Sequence, residues 1–163
     1  MTARVRVLFV CLGNICRSPT AEGVFRALVE DAGLSDRIHV DSAGTAAYHV
    51  GEPPDARSVA HARERGYDLT PLRARRAVAA DFERFDLVLA MDESNHRNLA
   101  SICPPVRRDR LRMCLEFARD AGKLTDVPDP YSGGDAGFEH VLDLLEDACQ
   151  GLLDECRSRL ERG

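Results

Sequence analysis

Val5-Arg-Val-Leu-Phe-Val-Cys-Leu-Gly-Asn-Ile-Cys-Arg-Ser18 decides how this chain is read. Its first half is a short β-branched and aromatic run, Val5, Val7, Leu8, Phe9 and Val10, the pattern of a strand covered on both faces. A cysteine, a glycine and an asparagine follow, and a Ser18-Pro19 step then leads into helical spacing. Ser18 is placed to cap that helix, and Pro19 suits its first turn, where the N–H that proline lacks would be unpaired. Residues 11–18 thus form a loop between the C-terminal end of a strand and the N-terminus of a helix. In an open α/β sheet, ligands collect at that edge. The N–H groups and dipole of a helix start favour an anion there.

Cys11 and Arg17 bracket the loop as C-x5-R. A thiolate is favoured where a helix N-terminus and an arginine converge. An oxyanion asks for the same two things, convergent N–H donors and a planar fork. One loop can therefore make a nucleophile and bind the phosphoryl group it attacks. A bare C-x5-R also fits a buried, apolar Cys11 and a surface Arg17. The strand before, the glycine within and the Ser-Pro step after favour the chemical reading. A nucleotide-binding loop is excluded, because no Gly-Lys-Ser/Thr end is present. Cys11 is then the nucleophile and Arg17 the phosphate clamp, with the backbone N–H groups of Leu12, Gly13, Asn14, Ile15, Cys16 and Ser18 completing a cradle. By position, Asn14 can hold a strained loop through hydrogen bonds, and Ser18 can donate to the Cys11 sulfur.

Outward from this stretch, Ala21, Val24, Phe25, Ala27 and Leu28 keep helical spacing up to a stop at Gly33. Residues 38–40 read as a short strand, with Ser42-Ala-Gly-Thr45 turning out of it. Residues 46–54 form a Gly/Pro-rich loop carrying Tyr48 and His49. Asp55 is placed to cap a helix ending at Gly66. Asp86-Leu-Val-Leu-Ala90 reads as a second buried strand, and Asp92 or Ser94 starts a helix that ends near Ala100. Pro104-Pro105 breaks the chain, residues 111–117 suggest a short strand, and residues 122–134 a second loop. Phe138, Val141, Leu142, Leu145, Ala148, Cys149, Leu152 and Cys156 trace the apolar stripe of a long final helix. Strands alternating with helices predict an α/β fold. The expectation is a single-domain three-layer sandwich over residues 1–163: a central parallel sheet of about four strands with helices on both faces.

At 163 residues the chain can bury a core without covalent staples. Its six cysteines are irregularly spaced, and no leader-like apolar segment precedes the first strand, so a reducing, cytoplasmic compartment is expected. No histidine companion accompanies Cys11 and Cys16, so no metal and no cofactor are expected. No run reaches the length of a membrane span. A net charge of −5 argues against nucleic-acid binding. The run Arg73, Arg75, Arg76 reads as a solvated face or as a lip attracting an anionic phosphoprotein.

Val10-Cys-Leu-Gly-Asn-Ile-Cys-Arg-Ser-Pro-Thr-Ala-Glu22 resembles the signature of the low-molecular-weight protein tyrosine phosphatases. The resemblance continues, in family order, through Asp41-Ser-Ala-Gly-Thr45, Gly51-Glu-Pro-Pro-Asp55, Met91-Asp-Glu-Ser-Asn95 and Pro128-Asp-Pro-Tyr131. It implies hydrolysis of phosphotyrosine through a phosphocysteine, and it assigns Cys11, Arg17, Asn14 and Ser18 the tasks just described. On its own, Asp129 between Pro128 and Pro130 reads as a turn residue in a stiff segment. The resemblance makes it the general acid and base. Tyr48 and Tyr131, otherwise ordinary surface tyrosines, fall on positions of the family's pocket walls. Cys16 reads as a small apolar residue under the loop, or, as in relatives, as the disulfide partner that protects Cys11 from over-oxidation. Asp92 is expected to be structural, capping a helix or supporting the loop from behind. Two departures stand out. Ser132 follows Tyr131 where the family commonly has a second tyrosine, and Pro71-Leu72-Arg73 lies where many relatives carry a histidine directed at the loop serine.

Three rivals share these features. An arsenate reductase on the same scaffold would need a downstream cysteine pair, and residues 79–90 hold none. A protein-arginine phosphatase would carry threonine where this chain has Ile15. A non-catalytic phosphate-binding adaptor would have lost Cys11 or Asp129. The implied partner is a tyrosine-phosphorylated protein, met by a monomer or weak dimer.

Overall fold

The computed structural model describes residues 4–120 and 124–163. Strand β1, Val5–Cys11, lies in a four-stranded sheet of order β2-β1-β3-β4, with β2 at Ile38–Gly44, β3 at Leu87–Ala90 and β4 at Leu111–Met113. Every pairing is parallel. Helices α1, Arg17–Asp31, and α5, Asp135–Arg162, cover one face. The other is covered by α3, Asp81–Arg84, and α4, Glu93–Ala100. Helix α2, Ala56–Glu64, packs on α1 and α5.

The apolar run of β1 explains this layering. Val5, Val7, Phe9 and Cys11 join the core under α1 and α5, whereas Leu8 and Val10 join Phe82, Phe85 and Leu99 on the opposite face. Alternate side chains point to opposite faces, so a strand sandwiched between helix layers is apolar throughout. Phe9 meets Phe25 of α1 edge-on, with ring centroids 5.9 Å apart. The stripe of α5 is buried from Phe138 to Cys156 as its spacing predicted. Gly151 lies where α5 approaches the 3-10 turn Cys114–Phe117, and a Cβ there would stand 1.8 Å from the Phe117 carbonyl oxygen. Arg65, just past α2, ties that helix to α5 through ion pairs with Glu139, Asp143 and Glu146.

Several boundaries differ from expectation. Helix α1 begins at Arg17, and Cys16, not Ser18, occupies its N-cap without a side-chain cap bond. Strand β2 runs on to Gly44, because its backbone continues to pair with β1 as far as Cys11. Only residues 111–113 of the expected 111–117 strand are extended, and a 3-10 turn takes the rest. Helix α3 and the 3-10 turn Pro105–Arg110 are too short to leave a periodicity. The caps at Asp55 and Asp92 are where the sequence puts them: each carboxylate accepts a backbone N–H, from Arg57 and Asn95 respectively. The second loop follows the expected course from residue 124, and its first two residues lie outside the described residues.

Candidate active site

The C-terminal ends of three strands converge on residues 11–18. Cys11 pairs with Gly44 of β2, and Val10 with Ala90 of β3. The Cys11 and Leu12 carbonyls accept N–H bonds from Thr45 and Ala46 at 2.9 and 3.0 Å, and Ile15 O accepts one from Asp55 at 2.8 Å. These three carbonyls are thus tied back into the protein. The loop's own N–H groups, residues 12–18, make no hydrogen bond among the described residues. That leaves a ring of donors at a helix start, an arrangement suited to a tetrahedral oxyanion.

Gly44 supports the loop from beneath. A Cβ at this position would lie 2.8 Å from Leu12 O and 3.1 Å from the Gly13 carbonyl carbon, both rigid backbone. Gly44→Ala should therefore displace the loop. A displacement of ångström size is expected to lower kcat/KM for p-nitrophenyl phosphate by about tenfold or more. Overpacking should remove about 1–3 kcal/mol of stability. Circular-dichroism melting and steady-state kinetics check both, and unchanged values would mean that the loop does not rest on this strand.

Asn14 has a φ of +58°, the only positive value at a non-glycine residue among those described. Its side chain stabilises that left-handed turn. Nδ2 donates to Ser18 Oγ at 2.8 Å and to Ser42 Oγ at 3.0 Å, and Oδ1 accepts the Arg75 N–H at 3.0 Å. With Asn14 filling its acceptor side, Ser18 turns its own proton toward Cys11 Sγ at 3.0 Å or the Ala43 carbonyl at 3.3 Å. Donation to sulfur stabilises a thiolate. The Ser42 hydroxyl donates a hydrogen bond to Glu22 Oε1 at 2.7 Å. Burial raises the Glu22 carboxyl above its ordinary value, while Ser42 and Arg26 pull it back. Among the described residues, no side chain from 71–73 bonds to Ser18. The network is closed instead by the Arg75 backbone, fixed where Arg75 spans Asp41 and Asp81.

Arg17 is buried, with only 2% of its surface exposed. Nη1 donates to Asp92 at 2.7 Å and to the Val127 carbonyl at 2.9 Å, and Nη2 lies 3.6 Å from the Asp129 carboxylate. Asp92 also caps α4, its other carboxylate oxygen accepting the Asn95 N–H at 2.7 Å. Asp129 Oδ1 accepts the Tyr131 N–H at 3.0 Å, an Asx-type turn that orients the carboxylate. The turn reading and the functional placement of Asp129 are therefore compatible.

Cys11, Arg17, Asp129, Tyr48 and Tyr131 all border one pocket of about 220 Å³, together with Leu12, Gly13, Ile15 and Cys16. Asn14, Ser18 and Asp92 act from behind it. The pocket also includes His49, which the sequence placed only in a loop. Its Nδ1 lies 2.6 Å from Glu52 and its ring 6.4 Å from Tyr131. Arg57 was missed altogether. It donates to the Tyr131 and Gly133 carbonyls at 2.8 and 3.3 Å, pairs with Asp55, and stacks over Tyr131 and Phe138. It thus braces the segment that carries Asp129 against α2. The sequence signal was Asp55-Ala-Arg57, a cap followed by a cation on the first helical turn.

All six cysteines are free thiols. Burial pushes the Cys16 thiol up to about 12, opposed by a hydrogen bond from Ser58. Of the cysteines, Cys11 and Cys16 line the pocket.

Residues 6–162 match the family described as low molecular weight phosphotyrosine protein phosphatase. The chain is 47% identical over 159 residues to a Streptomyces coelicolor low molecular weight protein-tyrosine-phosphatase, covering 96% of each. It is 42% identical to the human low molecular weight phosphotyrosine protein phosphatase over 149 residues, 91% of this chain and 94% of the relative. A crystal structure of a protein tyrosine phosphatase from Entamoeba histolytica superposes with a TM-score of 0.91 at 40% identity, covering 94% of this chain and 97% of the other.

Proposed function

The chain belongs to the low molecular weight phosphotyrosine protein phosphatase family, and from that membership we propose how Cys11, Arg17 and Asp129 divide the chemistry among them. The reaction is hydrolysis of phosphotyrosine in proteins, and of small aryl phosphates, through a phosphocysteine. The Cys11 thiolate attacks phosphorus, and the S–P bond forms as the P–O bond to the ring breaks. Asp129 gives its proton to the departing phenolate oxygen. The loop N–H groups and the Arg17 fork hold the equatorial oxygens throughout. Water then attacks phosphorus and passes a proton back to Asp129. The S–P bond breaks, phosphate leaves and the thiolate is regenerated. Tyr48, Tyr131 and Ile15 wall the substrate ring.

One observation carries this reading: a buried cysteine, a buried arginine and a half-exposed aspartate, drawn from two distant segments, border a single small pocket. Its test is phosphate release by the reduced enzyme from matched phosphotyrosine, phosphoserine and phosphoarginine peptides. Strong preference for phosphotyrosine is expected. Preference for phosphoarginine would mean that Ile15 does not shape the pocket for a ring. Residues 1–163 act as one phosphatase domain in this proposal, as a monomer or weak dimer facing a tyrosine-phosphorylated protein. No helix among the described residues is long and apolar enough to cross a membrane. Six free thiols suit a reducing, cytoplasmic setting.

Cys16 is assigned the protective role. Peroxide converts the Cys11 thiolate to a sulfenic acid, and Cys16 sulfur displaces its hydroxyl as water to close a disulfide. Because the Cys16 thiol is held up at about 12, closure should speed up as pH rises from 7 to 9. Cys16→Ala should lose the trapped Cys11–Cys16 bond under mild peroxide and suffer faster irreversible inactivation, read by mass spectrometry and recovery with dithiothreitol. Equal inactivation and equal recovery would count against protection.

A further inference from the structure

Beside the catalytic pocket lies a second, larger groove of about 520 Å³. The two share Leu12 and Tyr48, so the groove adjoins the catalytic pocket at these residues. Ala77, Val78, Leu99 and Ile102 give the groove an apolar lining, and Tyr48, Val78 and Ile102 leave 77%, 46% and 39% of their surfaces exposed. At its edge is Arg76, an exposed residue whose guanidinium makes no hydrogen bond or ion pair among the described residues. Its neighbours in the basic run are already committed: Arg75 to Asp41 and Asp81, Arg73 to the carbonyls of Thr70 and Leu72. Thr45, whose buried Oγ1 has no partner among the described residues, also lines the groove.

We propose that this groove is a second substrate subsite, which takes an apolar side chain and an adjoining carboxylate from the protein segment flanking the phosphotyrosine. The inference rests on the phosphotyrosine reading of the first pocket and adds the class of peptide preferred there. Because the cavities adjoin at Leu12 and Tyr48, a chain anchored by its phosphoryl group at Cys11 can lay its neighbouring residues in the groove. The lining accepts a leucine-sized side chain, and burial of such a group is a large contribution on the scale of a peptide contact. Arg76 supplies the only uncommitted cation of the basic run and so selects an acid beside that apolar residue. The cleft suits a protein substrate and is not needed by a small aryl phosphate.

The test compares phosphotyrosine peptides carrying Leu-Asp, Leu-Lys or Gly-Gly either just before or just after the phosphotyrosine, with p-nitrophenyl phosphate as the substrate that lacks flanks. On one side of the phosphotyrosine, the wild-type enzyme should favour Leu-Asp over Gly-Gly by about tenfold in kcat/KM, mostly through KM. Arg76→Glu should reverse the order of Leu-Asp and Leu-Lys. Val78→Asp should erase the leucine advantage. Both variants should hydrolyse p-nitrophenyl phosphate within about twofold of wild type, since neither residue borders the catalytic pocket. Equal kcat/KM for all flanks in the wild type would overturn the subsite and leave the phosphotyrosine reading standing. So would an equal loss on every substrate in Arg76→Glu. Absence of hydrolysis of every phosphotyrosine peptide would overturn both.

Discussion

Arg17→Lys should lower kcat/KM for p-nitrophenyl phosphate by about a thousandfold, although the charge at the site is kept. The reason lies in the fork. One nitrogen of Arg17 already spans the Asp92 carboxylate and the Val127 carbonyl, and the other faces the pocket and Asp129. A lysine ammonium is a single point of charge. It can stay with Asp92 behind the loop or turn toward phosphate, and it cannot do both at once. If it stays, the equatorial oxygens lose their bidentate partner. If it turns, a buried carbonyl and a mostly buried carboxylate lose theirs, at a cost of about 1–3 kcal/mol in stability. The two outcomes separate experimentally. Urea unfolding reports the second and the inhibition constant of inorganic phosphate the first, and the loss of turnover is common to both. Activity within tenfold of wild type would remove Arg17 from the phosphate clamp. The structure also favours the clamp role over a purely structural one, because only one of the two terminal nitrogens is used up by internal acceptors.

Much of this site could be read before any coordinates because it is local in sequence. A buried strand, five loop residues and a helix start lie within the first 31 residues, and their meaning depends on neighbours along the chain. The caps at Asp55 and Asp92 were legible for the same reason, since a cap is a contact between residues two or three positions apart. What escaped was set by tertiary pairing. Ser42-Ala-Gly has the composition of a turn, yet parallel pairing with β1 holds it extended to Gly44, and this brings Ser42 under Asn14. Ser18 looked like a cap, but its hydroxyl is drawn to the Cys11 sulfur and the Asn14 amide, and the helix begins without it. Arg57 showed no periodic or motif signal for a brace. Its function depends on the Tyr131 and Gly133 carbonyls, more than 70 residues away. The absent histidine near residue 72 left open whether the serine network is reduced or rebuilt. The Arg75 main chain and the Glu22–Ser42 pair rebuild it, using an N–H that any residue would supply and a carboxylate buried in α1.

Asp129→Asn tests the other half of the chemistry, and its expected effect depends on the leaving group. The asparagine keeps the size of the side chain and its acceptor oxygen for the Tyr131 N–H, so the Asx turn should survive. It has no proton to give a departing phenolate. General acid catalysis of this kind is worth about a hundredfold to ten-thousandfold. The full loss should appear with phosphotyrosine, whose phenol has a pKa of about 10 and leaves poorly as an anion. A much smaller loss should appear with p-nitrophenyl phosphate, whose anion leaves readily without help. Across a series of aryl phosphates the variant's rate should therefore fall steeply with leaving-group basicity where the wild type is nearly flat. Phosphate binding should weaken by no more than about threefold, because the Arg17 fork and the loop donors are untouched and one negative neighbour of the phosphoryl site is gone. Parallel slopes for the two enzymes, or equal losses in binding and turnover, would transfer the acid role away from Asp129. Residual turnover of the activated substrate in the variant would also report on Cys11 directly. With protonation of the leaving group no longer limiting, the remaining rate measures attack on phosphorus by the thiolate that Ser18 and the helix start stabilise.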